Sequence, residues 1–281
     1  MNKTAARIGR TGGSVILNGF MLVFSLASVF PFVWMLYSSL KSEAEFALNI
    51  ISLPQKPVIS NYINAVRTGH MGEYALNSLF NCVVTVVLVA LAAYIAAYFL
   101  SRYNFRGRTL VYGLFVAGML IPVHSLMVPV FVEYRVAGLL NSRFTLLPVY
   151  MAFGMPMAVF LIESFIGSIP VELEEAALID GSSMVRTMFT IIMPLCRPVL
   201  ATVVILTFMN TWNEFPFALV LIRDNALKTI PIGLRNFQGA YTAQYTQFMA
   251  GMAVSLIPVM VVYILFYKKI IVGMTAGTVK G

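Results

Sequence analysis

Glu174-Glu175-Ala176-Ala177-Leu178-Ile179-Asp180-Gly181, followed by Ile191, Met193 and Pro194, stands between two hydrophobic runs. The polar region around it extends from Ser168 to Arg197, too long for a tight turn and too patterned for a linker. Pro170 suits the first position of a helix. Glu172, Glu174 and Glu175 fall in or near the first turn, where acids complement the helix dipole. Ala176, Ala177, Leu178 and Ile179 continue a helix, and Gly181 is a natural stop. The pattern predicts a helix of roughly ten residues outside the bilayer, with small side chains that let another surface come close.

The surrounding chain is apolar. Of 281 residues, 59% are hydrophobic and 11% charged, against about 25% charged in a soluble protein. Its many long apolar runs indicate an all-α membrane protein rather than a barrel. Six spans of about the length needed to cross a bilayer can be drawn. They are Ser14–Leu40, Tyr74–Leu100, Thr109–Val132, Phe144–Gly167, Pro198–Ile222 and Gln247–Val272. The simplest organisation is one six-span membrane domain over 14–272, containing the polar loop 168–197, between a terminus 1–13 and a tail 273–281. The first span follows Lys3, Arg7 and Arg10, but its run is too long for a signal peptide and lacks a small-residue cleavage site, so it reads as uncleaved. The net charge of +8 reads as topology and lipid contact rather than nucleic-acid binding.

Orientation follows from the basic residues. Eleven of the nineteen fall on the side of the termini and eight on the other. The compact stretch Ser101–Arg108 holds three Arg, and short loops beside spans weigh most. Both termini and the Glu175 loop are thus expected in the cytoplasm of a cell membrane, with Lys41–Glu73 and Arg223–Thr246 outside.

Several spans carry helix-breaking or polar residues. The third has Pro122, His124 and Pro129. The fourth has Pro148, Gly154, Pro156 and Glu163. The fifth has Asn210, Thr211, Trp212, Asn213, Glu214 and Pro216. Carbonyls freed by proline are tolerated in lipid only where they face protein or a water-filled cavity, so these spans suggest a bundle enclosing a path. An intramembrane acid faces the interior. Glu214, with Asn210, Trp212 and Asn213, reads either as path lining suited to sugars or as a structural hydrogen bond. Glu163 and His124 read as structural groups.

No catalytic constellation is present: there is no HExxH, GxSxG or Walker-type glycine loop. The two His and two Cys have no metal spacing. Cys82 and Cys196 would lie at different depths, so no disulfide is expected. An ion-coupled secondary transporter would need a midplane ionisable relay and usually a repeated fold, and no repeat is visible.

Glu175-Ala176-Ala177, three residues, Gly181, nine residues, Ile191, one residue, then Met193-Pro194 resembles the coupling loop of permease subunits of bacterial ABC importers, with Met193 where the family usually has Leu. With Thr211-Trp212-Asn213-Glu214-Phe215-Pro216 and the ending Met274-Thr275-Ala276-Gly277-Thr278-Val279-Lys280-Gly281, the chain is similar to carbohydrate-importer permeases. More narrowly it resembles the second, shorter permease of the maltose system. The resemblance covers essentially the whole chain and implies the type I importer permease fold. It implies a heterodimer with a second homologous permease, two ATP-binding subunits and an extracytoplasmic solute-binding protein. ATP and Mg would be bound by the partner subunits, with no cofactor in this chain. Glu174, Glu175, Ala176, Ala177, Gly181, Ile191 and Pro194 would belong to the ATPase-docking motif, with Glu175 pairing with a basic residue. The tail would reach between the ATPase subunits and the outer stretch Arg223–Thr246 would touch the binding protein.

Overall fold

A computed structural model describes residues 3–237 and 244–276, with side chains described within 17–237 and 244–265. The described residues form helices and connections, with no strand among them. The chain divides into two compact units.

The first unit comprises Met1–Gly69 with Asn236–Val254. It contains α1 (Lys3–Ser38), α2 (Glu43–Leu48) and α3 (Ser60–Arg67). Along α1, apolar side chains such as Leu22, Phe24 and Leu26 are exposed, as lipid contact requires. After α1 the chain is tied by buried polar groups. Lys41 is fully buried, and its ammonium donates to the carbonyls of Asn49 and Ile50 at 3.0 and 3.1 Å. The Asn61 amide donates to the carbonyls of Ser39 and Lys41. A buried cation needs such oxygens to offset its lost hydration.

The second unit comprises His70–Arg235 with Ser255–Gly281. It holds α4 (Met71–Arg102), α5 (Arg108–Gly118), α6 (Met127–Val136), α7 (Leu146–Gly167) and α8 (Glu172–Ile179). Next come α9 (Met184–Arg186), α10 (Met193–Leu195), α11 (Arg197–Trp212), α12 (Pro216–Leu221) and α13 (Ile230–Arg235). The last helix, α14 (Tyr245–Ala276), begins in the first unit and ends in the second. In the first unit, Glu43 accepts from the backbone N–H and hydroxyl of Thr246, both at 2.8 Å. This acid caps a helix start, where free N–H groups point outward.

The core of the second unit is α4 packed along α7 and α11. Val89, Ala93, Tyr94, Ala97 and Tyr98 of α4 are buried with Ala158, Val159, Ile162 and Ile166 of α7. Both sets recur at three- and four-residue spacing, so each falls on one helical face. Small residues set how closely the helices approach. A Cβ on Gly154 would stand 3.2 Å from a Val89 methyl.

Four helices are long and apolar enough to cross a membrane, and two bent pairs raise the number to six when each counts as one span. Two of the spans that carry helix-breaking residues are broken. The expected third span bends by 93° between α5 and the segment Val123–Val136. Pro122 stands at that break in extended conformation, and a short 3-10 turn, Val123–Leu126, follows. The expected fifth span starts earlier, at Met184, bends by 78° before α11, and breaks again between Trp212 and Pro216. Proline starts the next helical piece there, where its missing N–H costs nothing. By contrast, Pro156 lies inside α7 without ending it. Cys82 and Cys196 are both buried free thiols.

Candidate functional site

The stretch around Glu175 forms α8, a helix of 8 residues with Glu172, Glu174 and Glu175 in its first turn. It is shorter than the ten residues expected. Pro170 precedes it, and the carbonyl of Val171 accepts the first bonds, from Glu174 and Glu175. Gly181 ends the helix in a left-handed conformation, φ +79°. The Ser182 N–H donates to the Ala177 carbonyl and the Gly181 N–H to the Leu178 carbonyl. These are the paired bonds of a Schellman cap.

The helix divides its motif between two faces. Glu175 and Ala176 are exposed, and Leu173, Leu178 and Ile179 stand out beside them. Glu174 and Ala177 are buried. Glu174, which the resemblance counts within the docking motif, turns inward here. Its carboxylate accepts from the Tyr98 hydroxyl at 2.6 Å and from Nε of Arg102 at 2.5 Å. Arg102 also donates to the Ile169 carbonyl. The pair is about nine-tenths shielded, at 8% and 10% side-chain exposure. This clamp fixes α8 to the end of α4.

Ile191 and Pro194 lie beyond α8 in sequence. Ile191 packs against the main core cluster. It sits in a π-helical turn, Thr187–Ile192, and Pro194 stands in the first turn of α10. The Met188 carbonyl in that turn accepts from the Tyr94 hydroxyl at 2.6 Å. What the sequence showed as a loop to Arg197 is helical from Met184 onward.

The second candidate region is a cavity of about 600 Å³. Its wall is formed by the break after Pro122, by α7, and by the break between α11 and α12. Asn210, Asn213 and Glu214 line it, together with His124, Tyr150 and Phe153. Trp212 does not. It is 3% exposed and stacks on Phe208 at 5.6 Å, on the packed face of α11. Tryptophan and asparagine are adjacent in sequence, so a helix turns them to different sides.

Glu214 has a structural task within this wall. One carboxylate oxygen accepts from the Phe217 N–H at 2.7 Å. The other accepts from the Ala218 N–H at 3.1 Å and the Tyr150 hydroxyl at 2.8 Å. It thus makes the structural hydrogen bonds of a cap on α12 while standing in the cavity wall. Asn213 donates to the Met209 carbonyl at 2.9 Å, which leaves its amide oxygen and second N–H available. His124, read as structural in the sequence, lies in the wall. The only sequence signal was its neighbour Pro122. Glu163 faces Arg108 at 3.9 Å, at the start of α5 rather than in the cavity.

Among the described residues, no group of three or more His, Cys, Asp or Glu could hold a metal ion. The tail residues 277–281 and residues 238–243 of the outer stretch lie outside the described residues.

Residues 88–274 match the family of binding-protein-dependent transport system inner membrane components. A putative ABC transporter permease of Caldicellulosiruptor sp. is 39% identical over 263 residues, covering 93% of this chain and 95% of that one. A trehalose/maltose transport system permease of Thermococcus litoralis is 34% identical over 265 residues, covering 92% and 94%. A diacetylchitobiose uptake permease of Streptomyces coelicolor is 34% identical over 267 residues, covering 94% and 88%. A solved bacterial ABC transporter involved in importing the acidic polysaccharide alginate shares the fold, with TM-score 0.79 at 24% identity, over 95% and 98% of the two chains.

Proposed function

The chain belongs to the family of binding-protein-dependent transport inner-membrane components, the permease subunits of ABC importers, and we propose that it forms half of a path for a carbohydrate. It is a multi-pass membrane transport subunit, and ATP hydrolysis is the work of separate subunits. Ion-coupled secondary transport, the alternative in the sequence, has no support among these relatives.

The carbohydrate reading draws on relatives named for trehalose/maltose and diacetylchitobiose. It also draws on the cavity, where amides and a histidine stand beside the aromatic faces of Tyr150 and Phe153. Amides pair with sugar hydroxyls, and aromatic rings cover C–H faces. The second half of the path would come from a homologous permease. An extracytoplasmic solute-binding protein would deliver substrate, and ATP with Mg would be held by two ATP-binding subunits. Both termini would lie in the cytoplasm.

The observation that carries the mechanism is the division of α8. Its inner face is clamped by Glu174 to Arg102, while its outer face offers Glu175 among exposed apolar side chains. A surface docked on that outer face could shift the helix. The clamp would pass the displacement to α4, and the bundle would alternate between outward- and inward-open arrangements. The test is Glu175→Lys in the full complex. Membrane levels should match wild type, while ATPase co-purification and sugar uptake fall. Wild-type uptake and co-purification would exclude the docking role. A cytoplasmic-type reporter should be active after Gly281 and inactive near Lys56, and the reverse would overturn the orientation.

A further inference from the structure

We propose that Tyr94 is a positioning residue of coupling: its hydroxyl holds the π turn Thr187–Ile192 open as the joint through which a displacement of α8 drives α11. The proposal rests on the docking and path readings above and adds the point of transmission.

Between α8 and α11 the chain forms a separate rod, Met184–Leu195, which α11 leaves at 78°. The π turn lies inside this rod, and local chemistry accounts for it. Pro194 has no N–H to give to the Thr190 carbonyl four residues back, and its ring crowds that carbonyl. A turn widened by one residue relieves the crowding. Thr187, Thr190, Ile191 and Ile192 are also β-branched and stiff in an α-helix. The Met193 N–H accordingly donates to the Met188 carbonyl, five residues back. Single π turns of this kind recur at functional sites.

A hydrogen bond from outside the rod fixes the turn. The Met188 carbonyl also accepts from the Tyr94 hydroxyl at 2.6 Å, so both of its lone pairs are used. Tyr94 and Ile192 are fully buried and Met188 is nearly so, which leaves the hydroxyl no solvent to compete with it. Tyr94 is itself set in the core of α4 and α7. Along α4, Tyr94, Tyr98 and Arg102 recur every four residues and share a face. Tyr94 grips the π turn, and the other two grip Glu174 of α8. The docking helix and the rod are thus tied to one rail.

The two ties differ in kind. The Glu174 clamp is a shielded ion pair. The Tyr94 tie is one neutral hydrogen bond, which can break and re-form. Were the turn to tighten into an α-helix, the Met188 carbonyl would exchange the Met193 N–H for that of Ile192. The rod would then meet α11 at another angle, and Asn210 and Asn213 in the cavity wall would move with it. Tyr94 and Pro194 both weight this equilibrium toward the π form.

The test uses the complete importer in proteoliposomes, with its ATP-binding subunits and solute-binding protein, and Asn213→Cys in this chain as the reporter. The native Cys82 and Cys196 are buried and give little background. A trimethylammonium-ethyl thiosulfonate labels the reporter with and without vanadate trapping, and ATP hydrolysis is measured on the same preparation. Adding Tyr94→Phe keeps the ring and removes the hydroxyl. Co-purification of the ATPase subunits and hydrolysis should persist, while the change in labelling rate on trapping shrinks by about fivefold, the weight of one ordinary hydrogen bond. Ile162→Val, which trims the same core, controls for lost stability alone and should keep the change. In a Pro194→Ala background, where the reason for the π turn is gone, Tyr94→Phe should add nothing, because the two act on one joint. A full response in Tyr94→Phe, an equal loss in Ile162→Val, or effects of Tyr94→Phe and Pro194→Ala that multiply would each overturn the proposal while leaving the path reading intact. A reporter inert in every nucleotide state, before any second substitution, removes the path reading and the proposal with it.

Discussion

Two inward-facing acids, Glu174 at the α8 clamp and Glu214 at the cavity wall, hold their regions together by opposite means. Glu174 faces a cation, Arg102, and both are shielded. Glu214 faces only neutral donors at the start of α12 and the Tyr150 hydroxyl. The difference matters when either acid is removed. Losing Glu174 strands a buried guanidinium. Losing the charge of Glu214 strands nothing charged and leaves neutral groups that can rearrange. The first arrangement suits a joint that must pass on a displacement without slipping. The second suits a wall that must stay open to a ligand.

The largest effect is expected at the clamp. Glu174→Ala leaves Arg102 and the Tyr98 hydroxyl without their partner, and breaking a buried pair on one side costs about 3–5 kcal/mol. The complex in detergent should melt well below wild type. An unchanged melting temperature would show that α8 is held by apolar packing alone, and the contrast between the two acids would lose its basis.

Next comes the turn that ends the same helix. Gly181 has φ +79°, a conformation that costs other residues about 1–2 kcal/mol. Nothing lies within 4 Å of a Cβ built there, so the cost is one of backbone strain, not of crowding. Gly181→Val should reduce uptake, whereas Leu178→Met, on the exposed face, should not. Equal behaviour of the two variants would remove the turn from the account of coupling.

A direct comparison of the two acids uses the same substitution at each. Glu174→Gln keeps an acceptor for Tyr98 but leaves Arg102 without a counter-charge. Glu214→Gln keeps one oxygen for the Phe217 N–H, and its amide can donate to the Tyr150 oxygen, while the Ala218 N–H loses its acceptor. The cost at Glu214 should be about 1 kcal/mol, near that of an ordinary hydrogen bond, and smaller than at Glu174. The ranking is read from the two melting temperatures measured side by side. A reversed ranking would mean that the cap on α12 carries more of the fold than the clamp does.

The sequence made some of this visible and hid the rest for physical reasons. The acids of the first turn and the stop at Gly181 were legible, because caps and helix ends depend on neighbours a few residues away. The unbroken spans, α4 and α7 among them, were legible from their apolar length. Pro122 and Pro216 marked two spans as irregular, but not how sharply the chain would turn in them. An apolar run reads alike whether its backbone is straight or bent by 93°, and Pro156 shows that proline alone does not decide it. The inward turn of Glu174 was hidden because its partner lies 72 residues away. Trp212 was grouped with the path for its stacking face, and that face is instead packed on Phe208 inside the bundle. His124 was placed with the structural groups because the 3-10 turn that brings it to the cavity wall follows a break the hydropathy did not show.

The smallest effect is expected at Glu163, and it tests whether burial is what separates the clamp from an ordinary ion pair. Arg108 belongs to the same short basic stretch as Arg102, and it too meets an acid from a neighbouring helix. Here the separation is 3.9 Å, and the side chains are 36% and 20% exposed. Arg108 also donates to the Asn104 side chain at 2.8 Å, so it keeps a partner when the acid is neutralised. A wide pair with one end in solvent contributes about 0–1 kcal/mol. Glu163→Gln should accordingly leave the melting temperature close to wild type, and added salt should change it little. Were Glu163→Gln to cost as much as Glu174→Gln, distance and exposure would not be the variables that distinguish the two pairs, and the stiffness assigned to the Arg102 clamp would have to come from its position at the end of α4 alone.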